Sequence, residues 1–179
     1  ENIVFSPKKL HSFIRMKAVL VKGTKISFSI DGDLINDKTP QKDNFMYAKG
    51  VEDFFSENFK KRKKITKNNF HCNFEINNKE NCEVYITFNE LEQSSLISFC
   101  NTIETPDGGS HENALKNSLI KAVKIFGQKN QLTKISNISS NDLFDYTDSF
   151  ISIFISEPSF EGQTKKRIAM PKIQKNLEE

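Results

Sequence analysis

Tryptophan is absent from this chain of 179 residues, and glycine (7), proline (5) and cysteine (3) are scarce. No stretch of about 20 apolar residues occurs, so we expect no membrane-spanning helix. A strong excess of one charge is also lacking, since 26 basic and 23 acidic residues leave a net charge of +3. A dedicated nucleic-acid-binding domain would be more basic. The chain has 16 phenylalanines, and its length suffices for the core of one domain.

The usual motifs of a complete active site are missing as well. Neither a G-x-x-x-x-G-K-[ST] loop nor a G-x-G-x-x-G turn after a strand is present. Two cysteines and a histidine (His71, Cys72 and Cys82) could be combined into a zinc site, but they lack a C-x-x-C pair. We therefore predict no metal site and free thiols, Cys100 included, in a reducing compartment. His111 has no partner residues in a triad pattern, so we interpret it as a turn or cap residue and not as a general base.

Apolar periodicity and turn residues predict an α+β fold, a two-layer sandwich of an about four-stranded sheet with two main packed helices. The predicted helices start at Pro7, after Gly50, near 110 with Gly127 as the stop, at a cap formed by 139–142, and at Met170-Pro171. The predicted strands cover 25–30, a hairpin of 70–76 and 82–88 joined by 77–81, then 95–101 and 150–156, the last central in the sheet. Residues 31–43 are predicted as loop. The chain starts without methionine and stops inside a predicted helix, so we expect a piece of a longer protein.

Five basic residues in a row, Lys60 to Lys64, allow two interpretations. They could contact a DNA backbone and release counterions, or they could form a solvated end of the preceding helix. No aromatic or glycine residues are interleaved with them, which favours the solvated helix end.

The most informative segment is 158–167, which we call the Gln-Thr-Lys loop. It follows an apolar strand and contains Gly162, which permits a sharp turn. Gln163 and Thr164 then offer directed hydrogen bonds, and Lys165 offers a mobile positive charge suited to a phosphate. The residues alone allow either an ordinary basic surface loop or half of a phosphoryl-transfer site, whose base, metal ligands and nucleotide pocket come from elsewhere.

Two segments of the chain carry a resemblance to a known family. Residues 100–115 contain C-N-T-I and then T-P-D-G-G-S-H, whose residues 105–111 we call the Gly-Gly turn. This stretch resembles the C-N-T-I…T-P-E-G-G-T-H…G-L stretch of bacterial type IIA topoisomerase B subunits, and the Gln-Thr-Lys loop resembles their P-x-F-x-G-Q-T-K loop. Asp107, Ser110 and Ala114 depart from the usual Glu, Thr and Gly without changing the chemistry of the loop. The Lys17-Ala18 segment and the C-N-T-I run are closer to the topoisomerase IV B subunit than to the gyrase B subunit.

The resemblance implies that residues 1–179 form a single transducer domain, cut in its C-terminal helix, with the ATPase and DNA-cleavage domains outside this chain. It implies that Lys165, as the catalytic residue, and Gln163 contact the γ-phosphate of ATP, and that ATP and Mg²⁺ are bound mainly by the ATPase domain. The fragment alone is then inactive. The implied partners are the topoisomerase A subunit, a second B subunit and duplex DNA, in the bacterial cytoplasm and not at a membrane. The alternative is the middle domain of a related mismatch-repair or chaperone ATPase that binds protein or DNA.

Overall fold

A computed structural model describes residues 5–77 and 79–179 of the chain. Residues 1–4 and Asn78, the latter in the predicted hairpin turn, lie outside the described residues. The chain, for which one domain is expected above, divides into two compact units. The first unit runs up to Lys61 and the second begins at Arg62.

The first unit contains two helices and a two-stranded sheet. Helix α1 (Pro7–Leu20) is followed by β1 (Ile26–Ser29), a 3₁₀ turn (Gly32–Leu34), β2 (Lys42–Phe45) and α2 (Val51–Asn58). Ser6 caps α1 through its side chain and Pro7 is the first helical residue, as the sequence predicts. The predicted loop over 31–43 is wrong at its end, because β2 pairs antiparallel with β1. The residues of β2 are mostly polar and show no strand pattern, so the strand is recognised only by its pairing with β1.

The second unit is built on a mixed sheet of five strands. These are β3 (Phe70–Asn77), β4 (Glu80–Phe88), β5 (Ser95–Cys100), β6 (Ile103–Glu104) and β7 (Thr147–Phe154), in the spatial order β3-β4-β7-β5-β6. Strand β7 pairs antiparallel with β4 and parallel with β5. The nearly continuous apolar run in β7 is typical of a central strand, and this position in the sheet is confirmed.

Helices of the second unit pack against this sheet. They are α3 (Ser110–Lys129), α4 (Ser140–Phe144) and α5 (Pro171–Glu178), with a 3₁₀ helix at Thr133–Asn137. The core joins β4, β5, β7, α3, α4 and α5 through residues that include Ile86, Leu115, Phe144, Ile151 and Ile173. The sequence predicts that α3 ends at Gly127, and this prediction is wrong, because Gly127 lies inside the helix. A side chain at this position would collide with Ile135, since a built Cβ comes within 2.7 Å of its Cγ2 atom.

The observed architecture confirms the α+β class. The main sheet has five strands, whereas the sequence predicts about four. The additional strand is β6, whose two residues are too short to show an alternating pattern. Among the described residues, no helix combines the length and the apolar character that a membrane span requires.

Candidate functional site

The Gln-Thr-Lys loop is closed at its base by backbone hydrogen bonds. The amide of Glu161 donates to the carbonyl of Arg167 at 2.9 Å, and the amide of Ala169 donates to Ser159 at 3.1 Å. Phe160 and Ile168 form an antiparallel bridge between these two bonds. The chain therefore leaves and re-enters the loop as two paired segments, which fixes the base while the tip projects.

The Gly-Gly turn lies directly beside the re-entering segment. The amide of Asp107 donates to the carbonyl of Lys166 at 3.0 Å, and the amide of Ile168 donates to Gly108 at 3.1 Å. The amide of Ser110, the first residue of α3, donates to the carbonyl of Ile168 at 3.1 Å. The two segments that carry the family resemblance are thus one hydrogen-bonded structure, although about 50 residues separate them in the sequence.

Gly109 permits this close approach. Its φ of 134° lies in a region that residues with a side chain rarely adopt. A Cβ atom built on Gly109 would come within 2.6 Å of the Ile168 nitrogen and would collide with the carbonyl oxygen of the same residue. The Gly-Gly pair is therefore a docking surface for residue 168, which goes beyond the strand-to-helix turn that the sequence predicts.

The tip of the loop is exposed to solvent, and it presents the two predicted site residues. All of residues 161–167 are exposed. Gly162 and Lys165 have positive φ angles of 73° and 55°. The Lys165 Nζ atom lies 5.9 Å from the centroid of the Phe160 ring, which is a cation–π distance. The structure therefore places Gln163 and Lys165 together on a projecting tip with a hydrogen-bonding group and a positive charge.

His111 stabilises the Gly-Gly turn from inside the second unit. It is fully buried, and its Nε2 atom lies 3.1 Å from Thr105 Oγ1, which in turn lies 2.6 Å from Ser98 Oγ. Burial lowers the pKa of His111 to about 4. A neutral, enclosed imidazole cannot serve an external substrate, so the interpretation of His111 as a turn residue agrees with its position.

The buried His111 predicts a pH-dependent stability. The pKa of His111 falls from 6.5 in the unfolded chain to about 4 in the folded chain. Between these two pH values the unfolded chain binds more protons than the folded one. The contribution of neutral His111 to the free energy of unfolding is therefore present in full above pH 6.5 and decreases as the pH falls towards 4. Between pH 7 and 5 we expect a loss of about 2 kcal/mol in the free energy of unfolding. Urea titrations at both pH values measure it. The His111→Gln variant should lose most of this pH dependence, and an unchanged slope in the variant would show that the loss arises elsewhere.

Three residues of the basic run make intramolecular contacts, while Lys60 and Lys61 are exposed. The Arg62 guanidinium forms an ion pair with the fully buried Asp148 carboxylate. Lys63 pairs with Glu90 at 2.8 Å, and Lys64 donates to Asn69 Oδ1 at 3.1 Å. Arg62 is thus a structural residue, which neither interpretation of the run anticipates. The available signal was Asp148, an aspartate at the start of the central apolar strand, since a buried charge requires a partner.

Two of the three cysteines lie in the core of the second unit. Cys82 and Cys100 are buried, and burial raises the pKa of each thiol to about 12. No group of three or more histidine, cysteine, aspartate or glutamate side chains close enough to hold a metal occurs within residues 5–77 and 79–179. The exposed loop tip could supply hydrogen bonds and positive charge to an anionic ligand.

Comparisons with known proteins agree with the fold. The topoisomerase IV ATP-binding domain of Francisella tularensis superimposes with a TM-score of 0.75 and 26% identity, over 99% of this chain and 46% of that one. The B subunit of DNA topoisomerase 4 from Rickettsia felis is 32% identical over an alignment of 180 positions, which covers 99% of this chain and 27% of that protein. The B subunit of DNA gyrase from Halalkalibacterium halodurans is 29% identical over 170 residues, or 94% of this chain and 26% of that protein.

These similarities place this chain among type II topoisomerase B subunits. The sequence model of DNA gyrase B matches residues 50–179, and the chain belongs to that family. It spans about a quarter of the length of the curated relatives named above.

Proposed function

We propose that this chain includes the transducer domain of a type II topoisomerase B subunit that couples ATP binding to DNA strand passage. The observation that carries the proposal is the docking of the Gln-Thr-Lys loop on the Gly-Gly turn, which leaves the Lys165 side chain at the exposed tip. Both segments lie in the second unit. Similarity to the B subunit of DNA topoisomerase 4 supports the topoisomerase IV branch of the family.

In this proposal, Lys165 and Gln163 contact the γ-phosphate of ATP that is bound by an ATPase domain of the same polypeptide. The ammonium group of Lys165 supplies a positive charge to the terminal phosphate, and the Gln163 amide supplies a hydrogen-bond donor. Such contacts exist only while the phosphate is present, so they can favour one conformation of the protein over another. Mg²⁺ would be held by groups outside the described residues. The partners of the protein would be the A subunit, a second B subunit and duplex DNA.

The Lys165→Ala variant of the full-length protein tests the proposal. Removal of one charged group that stabilises a phosphoryl-transfer transition state is expected to reduce ATP turnover on the order of 100-fold. Steady-state ATP hydrolysis and DNA relaxation or decatenation with the A subunit are the measurements.

Lys166→Ala is the matched control, because it removes an adjacent exposed lysine and keeps the backbone carbonyl that accepts from Asp107. We expect near-normal turnover in this variant. Wild-type turnover and strand passage in the Lys165→Ala enzyme would refute the γ-phosphate role. Equal losses in both variants would indicate a general effect of loop charge in place of a specific contact.

A further inference from the structure

Arg167 is the last residue of the Gln-Thr-Lys loop, and its side chain contacts both the Gly-Gly turn and the first half of the loop. Its Nη1 atom donates to the backbone carbonyl of Asp107 at 2.8 Å. Its Nε atom pairs with the Glu161 carboxylate at 3.2 Å. The backbone carbonyl of the same residue accepts from the Glu161 amide at 2.9 Å. One residue therefore links both ends of the loop to the neighbouring turn.

The conformation of the loop requires such links. Lys165 has a φ of 55°, in the left-handed region that residues with a side chain avoid. A residue stays in this region only where the surrounding structure holds it. The tip is exposed, and the contact of Lys165 is with Phe160, which belongs to the paired base, so the base supplies the restraints. The contacts of Arg167 with Glu161 and Asp107 are side-chain restraints at that base.

We infer that Arg167 is a positioning residue that holds the loop in the conformation from which Lys165 reaches the phosphate. This inference rests on the proposed contact of Lys165 with ATP. The geometry favours arginine over lysine, because a planar guanidinium donates in two directions at once, whereas an ammonium group is a point charge on a flexible stem. Arg167 does not itself need to touch the nucleotide.

The test compares Arg167→Ala, Lys165→Ala and the double variant in the full-length protein with the A subunit and DNA. Misplacement of a charged group by a mutation outside the chemistry can cost one to two orders of magnitude in rate. We expect Arg167→Ala to lower kcat for ATP hydrolysis about tenfold, with KM for ATP within about twofold of the wild type. In the double variant we expect the same kcat as in Lys165→Ala alone, since Arg167 affects turnover only through the position of Lys165.

Two further measurements separate positioning from a loss of folding. The thermal midpoint should change little, because both side-chain contacts of Arg167 are exposed. Amide hydrogen exchange at Glu161 should accelerate. The substitution removes the side-chain pair between residues 167 and 161, so the backbone hydrogen bond from the Glu161 amide to the carbonyl of residue 167 should open more often. The Arg167→Lys variant, which keeps the charge but not the planar geometry, should recover only part of the rate.

The outcomes are distinguishable. Wild-type kcat in Arg167→Ala together with a defective Lys165→Ala would overturn the positioning role and leave the proposed function intact. Additive losses in the double variant would show that Arg167 acts independently of Lys165 and would also overturn the inference. Wild-type turnover in Lys165→Ala would remove the proposed function and this inference with it.

Discussion

Replacing Gly109 with alanine is expected to destabilise the chain by about 2–6 kcal/mol. The backbone of Gly109 has a φ of 134° and a ψ of −157°, a combination that costs a non-glycine residue about 1–3 kcal/mol. The added methyl group would also collide with the backbone of Ile168, and overpacking of this kind costs about 1–3 kcal/mol more. Urea-induced unfolding followed by circular dichroism measures the sum.

Gly162→Ala is a matched control, because it tests backbone conformation without the collision. Gly162 has a φ of 73°, but a Cβ atom built there meets nothing within 4 Å. We therefore expect a loss of only about 1 kcal/mol, from the left-handed conformation alone. Similar losses in the two variants would show that the contact between the Gly-Gly turn and residue 168 contributes little.

The collision at Gly109 should also affect function. To relieve the collision, Ile168 has to move away from the Gly-Gly turn. This movement breaks the hydrogen bonds between Ile168 and the turn, which support the base of the Gln-Thr-Lys loop. In the full-length protein we expect Gly109→Ala to lower ATP turnover even under conditions where it remains folded. Gly162→Ala also alters the loop, so its value as a control is restricted to the unfolding measurement.

The Asp148→Asn variant is expected to lose about 1.5–3 kcal/mol of stability, since it removes the charge that binds Arg62 and one of the acceptor oxygens that buried donors use. Asp148 is fully buried, and its carboxylate accepts from Arg62, from Asn89 at 2.8 Å and from Ser95 at 2.6 Å. A neutral amide cannot serve as an ionic partner, and it replaces one acceptor oxygen with a donor. Urea-induced unfolding of the variant and the wild type measures the difference.

A double-mutant cycle separates the ion pair from the other contacts of Asp148. Arg62→Met, Asp148→Asn and the combination should be non-additive, since the two side chains are in direct contact. Lys63→Met removes an exposed pair with Glu90 from the same basic run, and we expect a loss of less than about 1 kcal/mol. Additivity within the cycle would show that the ion pair does not stabilise the fold.

The extent to which the sequence predicts the fold differs between elements. Strands β3 and β4 were predictable because their apolar residues alternate with polar ones, as a half-buried sheet requires. Strand β7 was predictable as central because its apolar run is nearly continuous, and almost all of its residues are indeed buried. Strand β2 was not, because its polar residues carry no such pattern and its pairing with β1 defines it. Gly127 was misinterpreted because glycine usually follows a helix end, whereas here it permits contact with Ile135.

The α+β class, the residue types of the Gln-Thr-Lys loop and the two segments that resemble the family follow from the sequence alone. They depend on local periodicity, on glycine and proline, and on functional groups that are visible without a partner. Three contacts became known from the folded chain: the Gly-Gly turn supports that loop, Arg167 links the two, and Arg62 pairs with Asp148. These contacts join groups about 50 to 90 residues apart. They could not be predicted, because no short sequence pattern encodes which distant groups will meet.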